Sequence, residues 1–203
     1  MVLKLDLVKA FDRVNWTFLR LLLLQIGIPL ISVNWIMGCV TNAYFAVLVN
    51  GIPSEFFLAT RGIRQGCPLS PLLFILIIES LSKIILDAQQ KGLIKGFQYS
   101  LDLSITHLLF VGDVLLFGIA TISEWQAFKD ALDLFCLATV MAVSLEKSSF
   151  LYQNVDDGTR CQIAQLLPYS MAPIQNGFKY LGFRLKPLGY RSSDWNWMVE
   201  RFE

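Results

Sequence analysis

Residues 21–54 contain no aspartate, glutamate, lysine or arginine, which limits what this part of the chain can form. A run of about 18 or more apolar residues is typical of a membrane-spanning helix. Gly27 and Pro29, however, interrupt this run early. Polar side chains such as Gln25 and Asn34 recur along it, and its second half alternates as a strand does. We therefore predict two short buried helices followed by a strand, and keep a membrane protein as the less favoured alternative.

The composition favours a folded chain and argues against a strongly basic nucleic-acid binder. Hydrophobic residues make up 55% of the chain, and the mean hydropathy is +0.54, which argues against disorder. The net charge is only +1. Because affinity for a phosphate backbone rises with the number of lysine and arginine contacts, any basic surface must be assembled in space from scattered positions.

The cysteines and the N-terminus indicate an intracellular protein. Cys39, Cys67, Cys136 and Cys161 are far apart and lack a paired C-x-x-C spacing, so we predict buried thiols in a reducing compartment. The chain has one histidine, which leaves little material for a histidine metal site or a Ser–His triad. The start of the chain does not resemble a signal peptide, and we expect a nuclear or cytoplasmic location.

Strand and helix patterns are interleaved along the chain. Strands are predicted over residues 2–7, 105–111, 114–119, 149–152 and 179–185, and a hairpin over 44–58 that turns at Asn50-Gly51. Helices are predicted over residues 16–27, 29–42, 72–90, 123–139 and 159–167. Because the order is not a regular β-α-β repeat, we predict an α+β fold with helices packed on a mainly antiparallel sheet.

Local signals mark three of the predicted helix starts. Asn15 is a suitable N-cap for the first helix. Ser70-Pro71 has the pattern of a cap followed by a first-turn proline. Ser123 with Gln126 has the spacing of a capping box.

The helix over residues 72–90 has an apolar face. An i, i+3, i+4, i+7 spacing predicts burial of four residues against the sheet, namely Phe74, Ile77, Ile78 and Leu81. Lys83 and Gln90 are expected to reach solvent.

Two carboxylates stand where an apolar strand meets a turn. Asp6 ends the first strand, and Asp113 belongs to Gly112-Asp113, a dipeptide suited to a two-residue type II′ turn. Taken singly, each reads as a capping or turn residue. Carboxylates at the ends of buried strands can nevertheless hold a hard cation on a rigid support. We expect Asp6 and Asp113 to approach each other across adjacent strands, although they are far apart in the sequence.

Four segments occur in order along the chain: KLDLVKAFDRVNW at residues 4–16, RGIRQGCPLSP at 61–71, HLLFVGDVLLF at 107–117 and YLG at 180–182. They resemble the successive palm motifs of LINE-type, non-LTR retrotransposon reverse transcriptases, the second almost letter for letter. The resemblance covers essentially the whole chain. Trp16 and Asp194-Trp195 favour the plant-like branch of that family.

The resemblance implies an RNA-directed DNA polymerase with a palm fold. Its partners would be an RNA template, a DNA primer and a deoxynucleoside triphosphate, and its cofactor two Mg²⁺ ions. By resemblance, Asp6 and Asp113 are catalytic and bind the metal, and the backbone carbonyl of Leu7 adds a ligand. No oligomer is predicted.

The same resemblance assigns a nucleotide-binding set. Phe11 falls where the family places an aromatic gate under the ribose, although plain core packing would also explain it. Gln65 would contact the incoming nucleotide, and Gly66 would permit a close backbone approach. Lys147 is a candidate proton donor to the pyrophosphate leaving group, or else an ordinary solvated lysine.

The sequence also departs from the family pattern. Gly112 stands where the family has the first of two paired aspartates, and Val140 and Ser144 stand where it usually has glycine and asparagine. We therefore expect this copy to be inactive as a polymerase. The alternatives are a catalytically silent nucleic-acid-binding or protein-binding module and a decayed reading frame without function.

The motif positions suggest how the domain is organised. Residues 1–185 would form a reverse transcriptase domain, a palm with partial fingers that is truncated at its N-terminus. Residues 186–203 would begin a truncated thumb or connection.

Overall fold

Strands and helices alternate irregularly in the computed structural model, which describes residues 1–100 and 103–199. The strands are β1 Val2–Asp6, β2 Tyr44–Phe45, β3 Leu48–Val49, β4 Ile52–Pro53, β5 Phe57–Leu58, β6 Phe97–Gln98, β7 Ser104–Ile105, β8 His107–Phe110, β9 Asp113–Phe117, β10 Ser149–Tyr152, β11 Ser170–Pro173, β12 Phe178–Tyr180 and β13 Phe183–Leu185. The helices are α1 Trp16–Gln25, α2 Leu30–Thr41, α3 Leu69–Gln90, α4 Ile122–Thr139, α5 Asp157–Leu166 and α6 Asn196–Val199, with 3₁₀ turns at Ile174–Asn176 and Ser192–Trp195.

A five-stranded sheet organises the fold, in the order β11-β10-β1-β9-β8. Strand β1 lies at its centre and pairs antiparallel with both β9 and β10, and β8 pairs antiparallel with β9. Only β10 and β11 run parallel within this sheet. The predicted α+β fold with a mainly antiparallel sheet is confirmed.

One face of the sheet is buried under helices. Leu3 and Leu5 of β1 are fully buried, and Phe150 of β10 lies directly opposite Leu3. Trp125 of α4 contacts the Phe150 ring edge-on at 4.5 Å between centroids, which places α4 over this face. Because side chains alternate along a strand, Lys4 and Asp6 point to the opposite face.

Helix α3 buries the predicted face. Its buried residues include all four of the predicted set, Phe74, Ile77, Ile78 and Leu81, and both Lys83 and Gln90 are exposed. Its predicted start is wrong, because the helix begins at Leu69 with Pro68 at the N-cap position. The Ser70 hydroxyl does not cap it but donates to the Arg64 carbonyl at 2.7 Å.

Helix α3 is also long and apolar enough, by length and composition, to cross a membrane. The core helix of a soluble protein passes the same test, and one face of α3 packs in the core of this fold. The charge-free stretch contains the second half of α1, a helix of 10 residues, and all of α2, a helix of 12 residues. Both are shorter than the roughly 20 residues that a spanning helix needs.

The prediction that the two short helices are buried is wrong for most of their residues, because only Leu19 and Leu23 of α1 and Val33 and Met37 of α2 are buried. Within residues 21–54, only Leu23, Val33 and Met37 are buried, whereas Leu48 is 70% exposed. Apolar composition does not ensure burial here, because short strands and helices of about three turns have too few neighbours to cover each apolar side chain. Burial is likewise wrong for the cysteines: all four thiols are free, and two are exposed, Cys39 and Cys161.

In two segments the structure has a turn at a position that was not predicted. Strands β8 and β9 turn at Val111-Gly112, with Val111 at φ +52°, so Asp113 is the first residue of β9 and not a turn residue. The predicted strand over residues 179–185 is a hairpin, β12–β13, that turns at Leu181-Gly182. The predicted Asn50-Gly51 turn is confirmed, since both residues have positive φ.

The start of α4 depends on a buried carboxylate that sequence patterns did not indicate. Glu124 is 2% exposed and accepts hydrogen bonds from the backbone N–H groups of Lys95, Gly96 and Ile119. The predicted capping box is wrong, because the Gln126 side chain donates to Asp130 instead. Three N–H donors offset the cost of burying this charge.

Val140 is a strained end for α4, because it adopts the left-handed conformation at φ +60°. A β-branched residue is unfavourable there, whereas glycine is the usual C-terminal residue. We expect Val140→Gly to raise the free energy of unfolding by about 1 kcal/mol, since the side chain is half exposed and loses little packing. Urea denaturation measures this. Ala138→Gly, an exposed position inside the helix, should lower stability by about 1 kcal/mol, and an equal loss in both variants would contradict the interpretation.

His107 links the edge strand β8 to α3. One ring nitrogen lies 2.9 Å from the Ser82 hydroxyl and the other lies 2.9 Å from the Thr106 hydroxyl. Burial lowers the pKa of His107 below its ordinary value of 6.5, and the charge of Glu79 opposes that shift. The folded state therefore binds a proton on this residue less readily than the unfolded state does.

The free energy of unfolding should accordingly fall as pH drops below about 6.5, and should level off below the folded pKa of His107. No other histidine is present, and ordinary carboxylates titrate near pH 4, so the effect should be visible between pH 7.5 and 5. Urea denaturation at several pH values measures it. His107→Asn should reduce the dependence, and the remainder is expected from the Met1 amino group, because burial lowers its pKa below the ordinary value of 8.0. A dependence that His107→Asn leaves unchanged, or a wild-type stability that rises on acidification, would contradict the assignment.

Candidate active site

The two carboxylates predicted to meet lie opposite each other. Asp6 at the end of β1 and Asp113 at the start of β9 are direct partners in the antiparallel register. Directly opposed residues project their side chains to the same face, with Cβ atoms about 4.5–5.5 Å apart. Both residues are partly exposed. The predicted approach is confirmed, while the catalytic and metal-binding roles of the two residues remain predictions.

Backbone hydrogen bonds from two other segments fix Asp6 in place. Its N–H donates to the Ser148 hydroxyl at 3.2 Å, and its carbonyl accepts from the Ser144 N–H at 2.8 Å. The next residue, Leu7, donates its N–H to the Gly112 carbonyl at 2.9 Å. The turn over residues 144–148, which carries the exposed Lys147, is therefore held directly beside Asp6.

The loop over residues 61–68 is attached to the segment that follows β1. Ile63 N–H donates to the Phe11 carbonyl at 2.9 Å, and Gly62 N–H donates to the Val14 carbonyl at 2.8 Å. The Trp16 indole N–H donates to the Gly62 carbonyl at 2.6 Å. These bonds bring the second sequence motif against the first.

An open pocket of about 550 Å³ lies where these two segments meet. It is lined by Phe11, Gln65, Gly66, Cys67, Pro68 and Pro71. Three of the four predicted nucleotide-binding residues therefore share one pocket. The fourth, Lys147, lies on the turn beside Asp6 and does not line it.

The polar and aromatic groups of this pocket have defined partners. The Gln65 amide donates to Asp12 at 3.2 Å. The Phe11 ring stacks on the buried Phe74 ring of α3, with centroids 4.8 Å apart.

Comparison with known proteins decides the family. Residues 1–185 match the family described as reverse transcriptase (RNA-dependent DNA polymerase). The chain belongs to this family. The reverse transcriptase resemblance of the four motifs is thereby confirmed.

Several curated proteins are similar in sequence. The chain is 43% identical over 75 residues to an uncharacterised mitochondrial protein of Arabidopsis thaliana, covering 36% of this chain and 62% of that protein. It is 31% identical over 115 residues to the retrovirus-related Pol polyprotein of the type-1 retrotransposable element R2 of Popillia japonica, covering 57% of this chain and 18% of that protein. R2 is a non-LTR retrotransposon, which supports the predicted resemblance to non-LTR retrotransposon reverse transcriptases. The chain spans less than two thirds of either relative.

Two solved structures share the fold. Apo telomerase from Candida tropicalis has a TM-score of 0.61 at 15% identity, covering 91% of this chain and 33% of that one. Telomerase from Candida albicans, in complex with a telomeric RNA fragment, has a TM-score of 0.62 at 12% identity, covering 91% and 30%. At these identities the likeness establishes the fold alone, and it agrees with a reverse transcriptase palm.

Reverse transcriptases use divalent metal ions. The oxygen ligands that this chain offers determine whether its site can hold such ions. Asp6 and Asp113 supply two carboxylates, and in the part of the chain that the structure describes no three His, Cys, Asp or Glu side chains cluster. Gly112 adds no side-chain oxygen. This set does not fit a site for two ions.

Space for the missing carboxylate is nevertheless present. A Cβ atom added to Gly112 would lie 3.6 Å from the Ala10 Cβ and 3.7 Å from the Leu7 carbonyl oxygen, both ordinary contacts. An aspartate at this position would thus extend from beside the carbonyl that the family resemblance assigns to the metal. The backbone admits the family residue, although this sequence does not have it.

Two further side chains belong to the surroundings of the site. Burial and the nearby charge of Asp113 raise the pKa of Tyr180, which places the β12–β13 hairpin close to the carboxylates. The Leu69 N–H at the start of α3 lowers the pKa of the Cys67 thiol, which lines the pocket. The unpaired cysteine spacing predicts only a buried thiol at Cys67. Its place just before the start of α3 is the signal that indicates a lowered pKa.

Gly62 and Gly66 provide a matched test of how the pocket loop is held. Both have strongly positive φ, but a Cβ on Gly62 would lie 2.8 Å from the Asp12 carbonyl oxygen, whereas a Cβ on Gly66 would meet nothing within 4 Å. Gly66→Ala should lower the free energy of unfolding by about 1 kcal/mol through backbone strain alone. Gly62→Ala should cost about 1–3 kcal/mol more, because backbone must move. Urea denaturation measures both free energies of unfolding. Equal decreases in the two variants would show that the close approach of Gly62 to the Asp12 carbonyl is unimportant.

Proposed function

We propose that this chain is the palm of an RNA-directed DNA polymerase that binds an RNA template, a DNA primer and a deoxynucleoside triphosphate, and that this copy lacks polymerase activity. The register that sets Asp6 opposite Asp113, beside the pocket of Phe11 and Gln65, carries the proposal.

The pocket residues have the chemistry to bind and orient a nucleotide. The Phe11 ring offers an apolar wall that a ribose 2′-hydroxyl would contact, which favours deoxynucleotides. The Gln65 amide can turn from Asp12 toward the nucleotide. Gly66 has no side chain between the loop backbone and the ligand, so a close approach is unhindered.

Exposed cations near the site suit the nucleic-acid backbone and the triphosphate. Lys9 and Arg64 are exposed on the two segments that meet at the pocket, and Lys147 is exposed on the turn beside Asp6. Each cation that contacts a phosphate releases counterions, so binding should weaken steeply with salt. The near-neutral composition therefore does not exclude nucleic acid, because exposed positive charges lie on both segments that form the pocket and on the turn beside Asp6.

The metal requirement is the reason to propose inactivity. Mg²⁺ is the expected ion, with Asp6, Asp113 and the Leu7 carbonyl as its candidate ligands. Two Mg²⁺ ions need several oxygen ligands from the protein besides those of the triphosphate, and with Gly112 in place the side chains supply only the two carboxylates of Asp6 and Asp113. Metal-centred stabilisation supplies several kcal/mol of the barrier reduction, and each 1.36 kcal/mol is about a factor of ten in rate.

Primer extension on an RNA template with Mg²⁺ tests the proposed activity. The wild-type chain should incorporate deoxynucleotides no faster than background. It should still bind a primer–template hybrid, measured by fluorescence anisotropy, with an affinity that falls as salt rises. Salt-insensitive or absent binding would count against the nucleic-acid part of the proposal, and extension that Asp6→Ala abolishes would refute inactivity.

Gly112→Asp tests the metal argument separately. This variant should bind Mn²⁺ at least about tenfold more tightly than wild type. Mn²⁺ is a paramagnetic substitute for Mg²⁺, so electron paramagnetic resonance can measure its binding. Leu108→Asp is the matched control, because it adds the same charge at an exposed position of β8, away from the Leu7 carbonyl. Equal gains in both variants would mean that net charge, and not the position of the carboxylate, controls ion binding.

A further inference from the structure

We propose that Phe74 is a positioning residue that sets the sugar selectivity of the nucleotide pocket by holding the Phe11 ring in place. The inference rests on the proposed function, which makes the pocket a nucleotide site, and extends it to a residue in the layer beneath. Phe74 is 1% exposed and lies in the second turn of α3.

The contact between the two rings is a close parallel stack. The ring centroids are 4.8 Å apart and the planes differ by 11°. Phe11 is only partly buried and lines the open pocket, so one part of its ring packs on Phe74 while another borders the space for the ligand. If the Phe11 ring could move, a 2′-hydroxyl could displace it. The selectivity for deoxynucleotides therefore depends on the residue that holds this ring.

The stack opposes movement of the ring into a neighbouring space. A second pocket, of about 250 Å³, is lined by both Phe11 and Phe74 and does not include Gln65. Its other walls include Ile78, Leu109 and Val111. This space could receive the Phe11 ring if the support were removed, because no side chain fills it.

The main chain of Phe11 is already held, which leaves the side chain as the variable part. Its carbonyl accepts the Ile63 N–H at 2.9 Å, so the Cα position is tied to the pocket loop. Rotation about the side-chain bonds would move the ring from the nucleotide pocket toward the second pocket. Stacking on Phe74 opposes that rotation, since an aromatic pair is favourable beyond the area that it buries.

Equilibrium binding of dATP and ATP, with Mg²⁺ present, tests this without relying on catalysis. The wild-type chain should bind dATP more tightly than ATP. Phe74→Leu should reduce that preference about twofold to tenfold, mainly by improving ATP binding. Phe74→Tyr keeps the stacked ring and should retain the wild-type preference.

The controls separate positioning from stability. Phe128→Leu removes another fully buried phenylalanine that contacts an aromatic ring, Trp125, and should destabilise the fold while leaving the dATP-to-ATP preference unchanged. In the Phe11→Leu background, Phe74→Leu should have no further effect on the preference. Additive effects would overturn the inference, because Phe74 would then act independently of Phe11.

The outcomes also distinguish this inference from the proposed function. If the wild-type chain binds neither nucleotide, the nucleotide site itself is wrong and the inference falls with it. If it prefers dATP and Phe74→Leu leaves that preference intact, the site stands and the role of Phe74 is refuted. If Phe74→Leu does not fold, loss of the preference in Phe74→Tyr would refute the role, because that variant retains the stack.

Discussion

The antiparallel pairing of β1 with β9 is the interaction on which the rest of this structure depends. It joins segments more than a hundred residues apart and sets the position of Asp6 relative to Asp113. The buried side chains determine its register, because Leu3 and Leu5 must face the helices. A slip of one residue would move these leucines to the opposite face, where Lys4 and Asp6 are only partly buried, and would move Asp6 into the apolar core. The same hydrophobic burial that stabilises the sheet therefore positions the two carboxylates.

The sequence predicted the parts of the fold that local chemistry determines. Asn15 does cap α1, since its side chain accepts from the Phe18 N–H, and β10 has the predicted bounds. The missed elements depend on partners elsewhere in the chain: β11 is a four-residue strand that, among the described strands, pairs with β10 alone. Strand periodicity over so few residues carries almost no information, and the exposed hairpin of residues 44–58 shows that apolar composition does not specify burial.

The site was predictable to a similar extent and for a similar reason. The family motifs identified Phe11, Gln65 and Gly66, which line one pocket because the 61–68 loop pairs with the segment after β1. Phe74 was predicted only as a core residue, since helical spacing reveals a buried face but not which buried ring touches a ligand wall. The place of Lys147 beside Asp6 depends on two hydrogen bonds that no sequence pattern indicates: the Ser144 N–H donates to the Asp6 carbonyl, and the Asp6 N–H donates to the Ser148 hydroxyl.

Some motif residues of this reverse transcriptase are required for folding, and others are not. Gly62 is required by its positive φ and by the Asp12 carbonyl, and Trp16 by its bond to Gly62, so the fold itself preserves them. Gly112 contributes to the sheet only through its carbonyl, which any residue could supply, and a side chain there would meet only ordinary contacts. A third carboxylate beside Asp6 and Asp113 would add charge repulsion wherever no cation is bound. Folding therefore does not preserve an aspartate at this position, and only metal chemistry does. A nearly intact second motif is therefore evidence about the fold of the chain, whereas the residue at position 112 bears only on the proposed metal site.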